Sequence, residues 1–214
     1  MADYKLNKYN WLTRFYQYIV IYLLFIPVYY IFYRLKVYGK ENIPKDKKPF
    51  IVMPNHLSNN DPPIVSTVVE SPIAWMAKKE LYSVPFLASA ISKLGAFLVD
   101  RENVSKSTIK ATKYIISKKW SVGVFLEGTR SKIPGRLGNP NLGSAYISNL
   151  NNVPILPVGI VGSNKLFGPI TVRIGKLFYP GKDLEIARWQ CAEKLSELTG
   201  LKMPDKENEP AVGR

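Results

Sequence analysis

Strand-like runs alternate with helix-like segments along the chain after residue 33, and this alternation limits the possible folds more than any other feature. The predicted strands cover residues 34–38, 50–53, 73–77, 96–99, 122–126, 155–161 and 171–177. The predicted helices cover residues 62–69, 85–93, 105–118, a short segment after residue 143, and 184–198. Such alternation is typical of a three-layer α/β domain with a mostly parallel central sheet flanked by helices. The 214 residues, 46% of them hydrophobic, are enough to bury one substantial core.

The N-terminal region contains a run of 19 uncharged residues, 15–33, with basic residues on both sides. A helix that spans a bilayer needs about 20 residues, so this length allows a single span. However, six of the 19 are tyrosines, which prefer the membrane interface, and Pro27 interrupts the run. We therefore expect a bent helical anchor that lies in one leaflet, with a spanning helix or a buried helix of a soluble protein as alternatives. We expect no cleaved signal peptide, because no small-residue cleavage site follows the run.

These features predict three regions along the chain. Residues 1–34 form a membrane-associated helical segment, residues 35–200 form the folded α/β domain, and residues 201–214 form a polar, flexible tail. The tail is rich in charged residues and proline, which disfavour a packed structure.

The charge of the chain predicts an anionic partner. Thirty Lys and Arg residues against 16 Asp and Glu give a formal net charge of +14, which attracts either nucleic acid or an acidic membrane surface. The N-terminal segment favours the membrane, and the sequence has no basic recognition helix, zinc spacing or aromatic RNA-binding motif, so we expect no nucleic acid. A single cysteine, Cys191, excludes an internal disulfide and predicts reducing surroundings. With one cysteine and one histidine we expect no metal site.

Residues 55–63 have the sequence Asn-His-Leu-Ser-Asn-Asn-Asp-Pro-Pro. We predict that they contain a base and a group that orients it. His56 is the only histidine, and Asp61 follows five residues later. Histidine can take a proton near neutral pH, and a hydrogen-bonded carboxylate fixes its tautomer. The two side chains can meet if the intervening residues form a compact loop before a helix. Alternatively, Asp61 only caps that helix and His56 is structural; the residues alone do not decide.

A second group of functional residues follows the predicted strand 122–126. Glu127, Gly128, Thr129 and Arg130 lie where open α/β sheets present ligand-binding groups, and the planar guanidinium of an arginine suits a phosphate. Arg101 similarly follows the predicted strand 96–99. The alternative is that each arginine is a solvated charge and that Glu127 and Arg130 form a surface ion pair.

Taken together, these motifs resemble those of the glycerolipid acyltransferase family, in particular the branch that acylates 1-acylglycerol 3-phosphate. The resemblance rests on four ordered motifs: the H-x4-D box of His56 and Asp61, residues 95–101, residues 127–130, and residues 153–158. It covers residues 50–160. The resemblance implies an O-acyltransferase that moves a fatty acyl group from acyl-CoA or acyl-carrier protein to the sn-2 hydroxyl, giving phosphatidic acid. It implies no cofactor, and a membrane-associated enzyme with its site on the cytoplasmic face.

The resemblance also implies a role for each matching residue. His56 is the general base and Asp61 holds it, while Arg101, Glu127, Gly128, Thr129 and Arg130 bind the acceptor phosphate, assisted by Lys78. Transfer is expected to be direct, with Ser58 stabilising the loop and Cys191 packed in the core. Many relatives have a Phe-Lys pair where this chain has Pro140-Asn141, so we expect a changed preference for the acceptor head group.

Other functions stay open from the sequence. The acceptor could instead be glycerol 3-phosphate or another lysophospholipid. A thioester or lipid hydrolase could use the same His56 and Asp61 to activate water, and a non-catalytic membrane-binding protein would account for the charge and the anchor. Release of coenzyme A that depends on the acceptor distinguishes transfer from hydrolysis.

Overall fold

A computed structural model describes residues 6–78, 85–99, 106–131 and 133–205. The described residues form seven strands: β1 (Lys36–Tyr38), β2 (Ile51–Pro54), β3 (Ile73–Lys78), β4 (Phe97–Val99), β5 (Ser121–Gly123), β6 (Ile155–Val161) and β7 (Thr171–Ile174). The helices are α1 (Trp11–Phe32), α2 (Asp61–Val68), α3 (Pro85–Lys93), α4 (Lys106–Ser117), α5 (Gly143–Asn151) and α6 (Leu184–Thr199).

The strands form one sheet in the order β1-β7-β6-β2-β5-β3-β4. Within the described chain β6 and β7 pair antiparallel, and the other neighbouring strands pair parallel. The carboxyl ends of β2, β3, β4, β5 and β6 therefore all lie at the same end of the sheet. The predicted α/β fold with a mostly parallel sheet is confirmed.

Helices cover both faces of the sheet. On one face, α1 packs against the sheet through Tyr29, and Tyr33 just after the helix packs with it; α2 packs through Ile64 and Val65. The other face is covered by α4, α5 and α6 with the buried side chains Ala111, Ile115, Ile147, Cys191, Ala192 and Leu195. In β2, Val52 packs on the first face and Ile51 and Met53 pack on the second, and all four residues of the strand are buried. This arrangement fixes β2 in the middle of the core, which makes its carboxyl end a rigid base for a site.

Two strands, β5 and β7, end three residues earlier than predicted. β5 ends at Gly123, because the chain begins to turn at Phe125, whose carbonyl accepts a hydrogen bond from Gly128 N at 3.1 Å. β7 ends at Ile174, because Gly175 leaves the ladder and donates to the carbonyl of Pro157 at 2.9 Å. In both cases an apolar run continues past the point where the backbone changes direction.

The N-terminal helix α1 is long and apolar enough to cross a membrane, although core helices and signal sequences also meet that criterion. The helix widens to π geometry at Ile21–Phe25 and Val28–Phe32, on either side of Pro27, which lacks the N–H that a regular turn would use. Only 17% of the most apolar 18-residue stretch of this helix is buried inside the protein. Its outer surface consists of large exposed side chains: Trp11, Leu12, Phe15, Tyr16, Ile19, Tyr22, Leu23, Leu24, Tyr30, Ile31 and Phe32.

Candidate active site

The site begins at Asn55, the first residue after β2. The Asn55 amide donates to the carbonyl of Ile160 at 2.9 Å, and its oxygen accepts from the Ile160 N–H at 2.7 Å. These two bonds attach the end of β2 to the neighbouring strand β6. The backbone that continues to His56 is therefore fixed before the loop begins.

His56 and Asp61 are brought together as predicted, with Nδ1 of His56 2.9 Å from Oδ2 of Asp61. The same oxygen accepts the backbone N–H groups of Leu57 at 2.6 Å and Ser58 at 2.7 Å. With Asp61 accepting from Nδ1, the imidazole lone pair is on Nε2. The pair therefore has the geometry of a base and its orienter.

The helix-capping interpretation of Asp61 is wrong. Asp61 is the first residue of α2, whose N-cap is Asn60, and the hydrogen bonds of the Asp61 side chain go to residues of the preceding loop. Its other oxygen, Oδ1, is buried without a hydrogen-bond partner in the described chain. A carboxylate at a helix N-terminus is nevertheless favoured by the helix dipole. Ser58 has the predicted structural role, because its Oγ accepts from Asn60 N at 3.2 Å.

The main chain of His56 is held from the opposite side by the segment after β5. Oε2 of Glu127 accepts the His56 N–H at 3.0 Å, and Ser131 N donates to the His56 carbonyl at 2.8 Å. Because β2 and β5 are neighbours in the sheet, their carboxyl ends place these segments side by side. Glu127 thus positions the backbone of the base.

Glu127 itself is almost fully buried. Burial raises the pKa of its carboxyl to about 8, although the N–H groups it accepts lower that pKa in part. Its Oε1 has no hydrogen-bond partner in the described chain. Gly138 approaches so closely that a Cβ there would lie 2.9 Å from Cγ of Glu127. A glycine is therefore required at this position, because any side chain would displace the carboxylate.

An aromatic stack covers one face of the base. The ring of Phe125 lies parallel to the His56 imidazole, with the centroids 3.9 Å apart and the planes inclined at 19°. The ring of Trp75 stacks with that of Phe125, with the centroids 5.2 Å apart, and its indole N–H donates to Ser66 Oγ at 2.9 Å. This stack limits the rotation of the imidazole and excludes water from that face.

Two cavities meet at this stack. An apolar cavity of about 460 Å³ includes His56 in its lining and extends under α1. Its apolar walls are Ile21, Phe25, Pro62, Pro63, Trp75, Ala90, Ile91 and Leu94. A second cavity of about 350 Å³ has a mixed lining, and because its polar share is larger than that of the first we call it the polar cavity. Its apolar lining residues include Val99, Val124 and Ile147, and its other lining residues include Lys78, Glu127, Gly128, Thr129, Asn141 and Tyr146. Met76 and Phe125 line both cavities, so the site offers an apolar and a polar compartment next to each other.

Only some of the other predicted site residues lie together in the structure. Lys78, Glu127, Gly128 and Thr129 line the polar cavity, whereas Arg130 is exposed and belongs to the lining of neither cavity. Arg101 lies outside the described residues. Within the part of the chain that is described, no three His, Cys, Asp or Glu side chains converge as metal ligands would. Cys191 is buried in the core, as predicted.

Sequence reasoning did not find Asn55, Phe125 or Gln17 as contributors to the site. Asn55 directly precedes the predicted base His56, and Phe125 lies near the end of the predicted strand 122–126. These positions are the sequence signals that could have identified the two residues. Gln17 is a polar residue inside the apolar run. It is buried, and it donates to the carbonyls of Ile73 at 2.9 Å and Leu94 at 2.8 Å.

Comparison with known proteins gives a consistent result. A family model described as acyltransferase matches residues 34–161. The 1-acyl-sn-glycerol-3-phosphate acyltransferase of Bacillus subtilis is 30% identical over 171 residues, which are 77% of this chain and 82% of that protein. A chloroplastic protein of the same description from Brassica napus is 28% identical, and the match covers 80% of this chain and 53% of that protein. The crystal structure of a 1-acyl-sn-glycerophosphate acyltransferase from Thermotoga maritima is 25% identical with a TM-score of 0.72, covering 86% of this chain and 78% of that one.

Proposed function

This chain belongs to the acyltransferase family and is an O-acyltransferase, and we propose that it moves a fatty acyl group from an acyl thioester to the sn-2 hydroxyl of 1-acylglycerol 3-phosphate. The family predicted from the four motifs is confirmed. The observation that carries the proposal is the His56–Asp61 pair, which lies where the apolar and polar compartments meet. The names of the relatives support the acceptor. The proposed donor is acyl-CoA or acyl-carrier protein.

The proposed reaction is a direct transfer. Nε2 of His56 removes the proton from the acceptor hydroxyl as that oxygen attacks the thioester carbon, and Asp61 stabilises the imidazolium that forms. The tetrahedral intermediate then collapses, the carbon–sulfur bond breaks, and the departing thiolate takes the proton from His56. No covalent acyl-enzyme is needed, and no cofactor takes part.

The two compartments suit the two parts of such a substrate pair. Burial of a fatty acyl chain in the apolar cavity would stabilise the bound state by about 0.8 kcal/mol per buried CH₂. The polar cavity offers the Lys78 and Thr129 side chains to an anionic head group. We propose that Arg130, which follows the lining residue Thr129, binds the acceptor phosphate, because a guanidinium can donate two charge-assisted hydrogen bonds. Arg101, which lies outside the described residues, is proposed for the same phosphate from the family resemblance.

We further propose that α1 anchors the enzyme along the membrane surface. Gln17 attaches one part of α1 to Ile73 and Leu94, and the carbonyl of Tyr33, just after the helix, accepts from Ile170 N at 3.1 Å. A helix that is docked on the domain along its length cannot be surrounded by lipid, so the exposed apolar side is the part that contacts the bilayer. This supports the in-plane anchor over an isolated spanning helix. We also propose, from the family resemblance alone, that the site lies on the cytoplasmic face.

The experiment that tests the function is a lipid product assay with purified protein, a defined acyl-CoA or acyl-carrier protein, and a series of acceptors. We expect phosphatidic acid from 1-acylglycerol 3-phosphate, with release of the thiol carrier only when the acceptor is present. Release of free fatty acid at the same rate without an acceptor would identify a hydrolase. Faster acylation of glycerol 3-phosphate or of a lysophospholipid with another head group would reassign the acceptor.

The phosphate assignment predicts a selective effect of Arg130→Ala. The acceptor KM should rise about 10- to 100-fold, because a hydrogen bond to a charged group contributes roughly 1.5–3 kcal/mol, while the thioester KM should stay near the wild-type value. Arg130→Lys should restore part of the loss, since lysine keeps the charge but not the planar fork. Steady-state kinetics with both substrates varied provide the measurement. A rise in the thioester KM alone would show that Arg130 binds the donor.

A further inference from the structure

The loop between β6 and β7, residues 162–170, exposes two apolar side chains beside the end of α1. Leu166 is 80% exposed and Phe167 is 57% exposed. The ring of Phe167 contacts those of Phe32 and Tyr33, with centroid distances of 6.4 and 5.6 Å. The loop and the last turn of α1, where Ile31 is also exposed, therefore form one continuous apolar surface.

The backbone of this loop is held in an unusual conformation. Phe167 has a φ of 54°, in the left-handed region, which a bulky residue rarely adopts. Arg34, which faces it, has a φ of 47° and donates to the Phe167 carbonyl at 3.4 Å. Gly162 has a φ of 90°, and a Cβ there would lie 2.3 Å from the carbonyl oxygen of Pro169. Such conformations persist only where the surrounding structure imposes them, and they cluster at functional segments.

The charge around the loop favours an anionic partner. Lys165 and Arg34 are both exposed next to Leu166 and Phe167. In the sequence, no Asp or Glu occurs between Glu127 and Asp183, and β6, the loop and β7 all fall within that stretch. Exposed apolar side chains bordered by basic residues match the interface of a bilayer that contains anionic lipids.

The loop also lies at the end of the sheet that carries the site. Because β6 is parallel to β2, the residues that follow Val161 emerge at the same end as His56. β1 pairs with β7 so that Lys36 faces Thr171, which in turn faces Val161. The end of α1, the loop and the base are therefore all at one end of the molecule.

We propose that the β6–β7 loop is a second membrane contact, in which Leu166 and Phe167 enter the interface of an anionic bilayer while Lys165 and Arg34 bind lipid phosphates. The inference rests on the proposed membrane association of α1, with which the loop surface is continuous. Two contacts fix the orientation of the domain on the membrane, which a single helix lying in the interface does not do. The loop thereby holds the site against the surface from which a lysolipid acceptor enters.

The test uses nitroxide spin labels on three variants of the full chain, each with one added cysteine. Leu166→Cys reports on the loop, Leu23→Cys reports on α1, where that side chain is 75% exposed, and Ile186→Cys is a matched control on α6 at 58% exposure. The unsubstituted protein, whose Cys191 is buried, gives the background labelling. Collisions with oxygen and with a water-soluble nickel chelate are measured with and without phosphatidylglycerol vesicles.

We expect vesicles to increase oxygen collisions and decrease nickel collisions at positions 166 and 23, with no change at position 186. If position 23 becomes shielded and position 166 stays accessible to nickel, the loop inference is overturned and the anchoring by α1 stands. If neither becomes shielded, both fail. Equal shielding of position 166 by phosphatidylcholine vesicles would overturn the preference for anionic lipid. Shielding without vesicles would show that a second protein chain covers the loop.

Discussion

At the residue scale, the surroundings of His56 leave one group free for chemistry. Its N–H donates to Glu127, its carbonyl accepts from Ser131, and its Nδ1 is paired with Asp61. Phe125 covers one face of the ring. Nε2 has no hydrogen-bond partner among the described residues. The other contacts of His56 therefore orient this nitrogen and leave it free to accept a proton. Preorganisation of this kind is what a general base needs, because a small misplacement of the reacting groups costs a large factor in rate.

The burial of Glu127 predicts a specific dependence of stability on pH. Its pKa is raised from 4.5 to about 8 by burial. Between these values the unfolded chain releases the proton that the folded protein retains, so the free energy of unfolding falls as the pH rises. As the pH rises from about 5 to about 8, we expect the melting temperature of the wild type to fall relative to that of Glu127→Gln, which cannot ionise.

The exposed Glu197 on α6 supplies the matched control. Glu197→Gln should show the same pH dependence of melting as the wild type. If the wild type and Glu127→Gln instead follow parallel curves across this range, Glu127 does not retain its proton in the folded protein. The pH profile separates this effect from a general loss of stability, which would displace the curve without changing its slope.

The lone thiol provides a second residue-scale prediction. Cys191 is fully buried on α6, and burial raises its pKa to about 11, so it is not the thiolate that a nucleophile requires. Cys191→Ala should therefore keep near-wild-type turnover. Denatured protein that was incubated with a radiolabelled acyl thioester and no acceptor should carry no label. An adduct that forms and discharges at the rate of turnover would replace direct transfer by a two-step mechanism.

At the element scale, α1 is both an apolar helix and a wall of the site. Gln17 accepts from Ile73 N at 3.2 Å in addition to its two donor bonds, and Ile21 and Phe25 line the apolar cavity one and two turns further on. Tyr9 adds a hydrogen bond to the Gly95 carbonyl at 3.1 Å and an edge contact with Trp120. The docking of α1 therefore determines the shape of the compartment next to the base.

Gln17→Ala is the change that tests this docking. It leaves buried backbone groups of Ile73 and Leu94 without their partner, which costs roughly 1–3 kcal/mol for each unsatisfied group. We expect a lower melting temperature in detergent and faster hydrogen exchange in α1, together with a larger loss of turnover for long-chain than for short-chain thioesters. The neighbouring Tyr16 is 44% exposed, and Tyr16→Ala should change none of these. Equal losses for long and short chains would show that α1 does not shape the acyl compartment.

The parts of the fold and site that could be predicted from the sequence are those fixed by local patterns. Apolar runs that alternate with helical segments predicted each strand that the structure describes. The contact of His56 with Asp61 follows from a compact loop of four intervening residues. The contacts of Glu127 with His56 and of Asn55 with Ile160 join residues 71 and 105 positions apart. They depend on β2 lying between β5 and β6, and strand order is set by packing of the whole sheet, which no local pattern encodes.

At the scale of the whole molecule, the sheet brings the functional parts to one end. The base, the polar cavity and the β6–β7 loop follow the carboxyl ends of β2, β5 and β6, which is where open α/β sheets bind ligands. The apolar cavity extends from this end beneath α1. With the proposed substrates and membrane contact, this arrangement would let the acyl chain pass from the bilayer to the site without crossing water.

General-base catalysis by His56 is tested most directly by the turnover of purified His56→Ala, with a defined acyl thioester and 1-acylglycerol 3-phosphate. We expect a folded, membrane-bound protein whose transfer rate is lower by about 10²–10⁴-fold, and a severe loss in Asp61→Asn, which keeps the shape of the side chain but not its charge. Thermal melting of the same samples confirms that the fold is intact. Near-wild-type turnover by folded His56→Ala would contradict the mechanism.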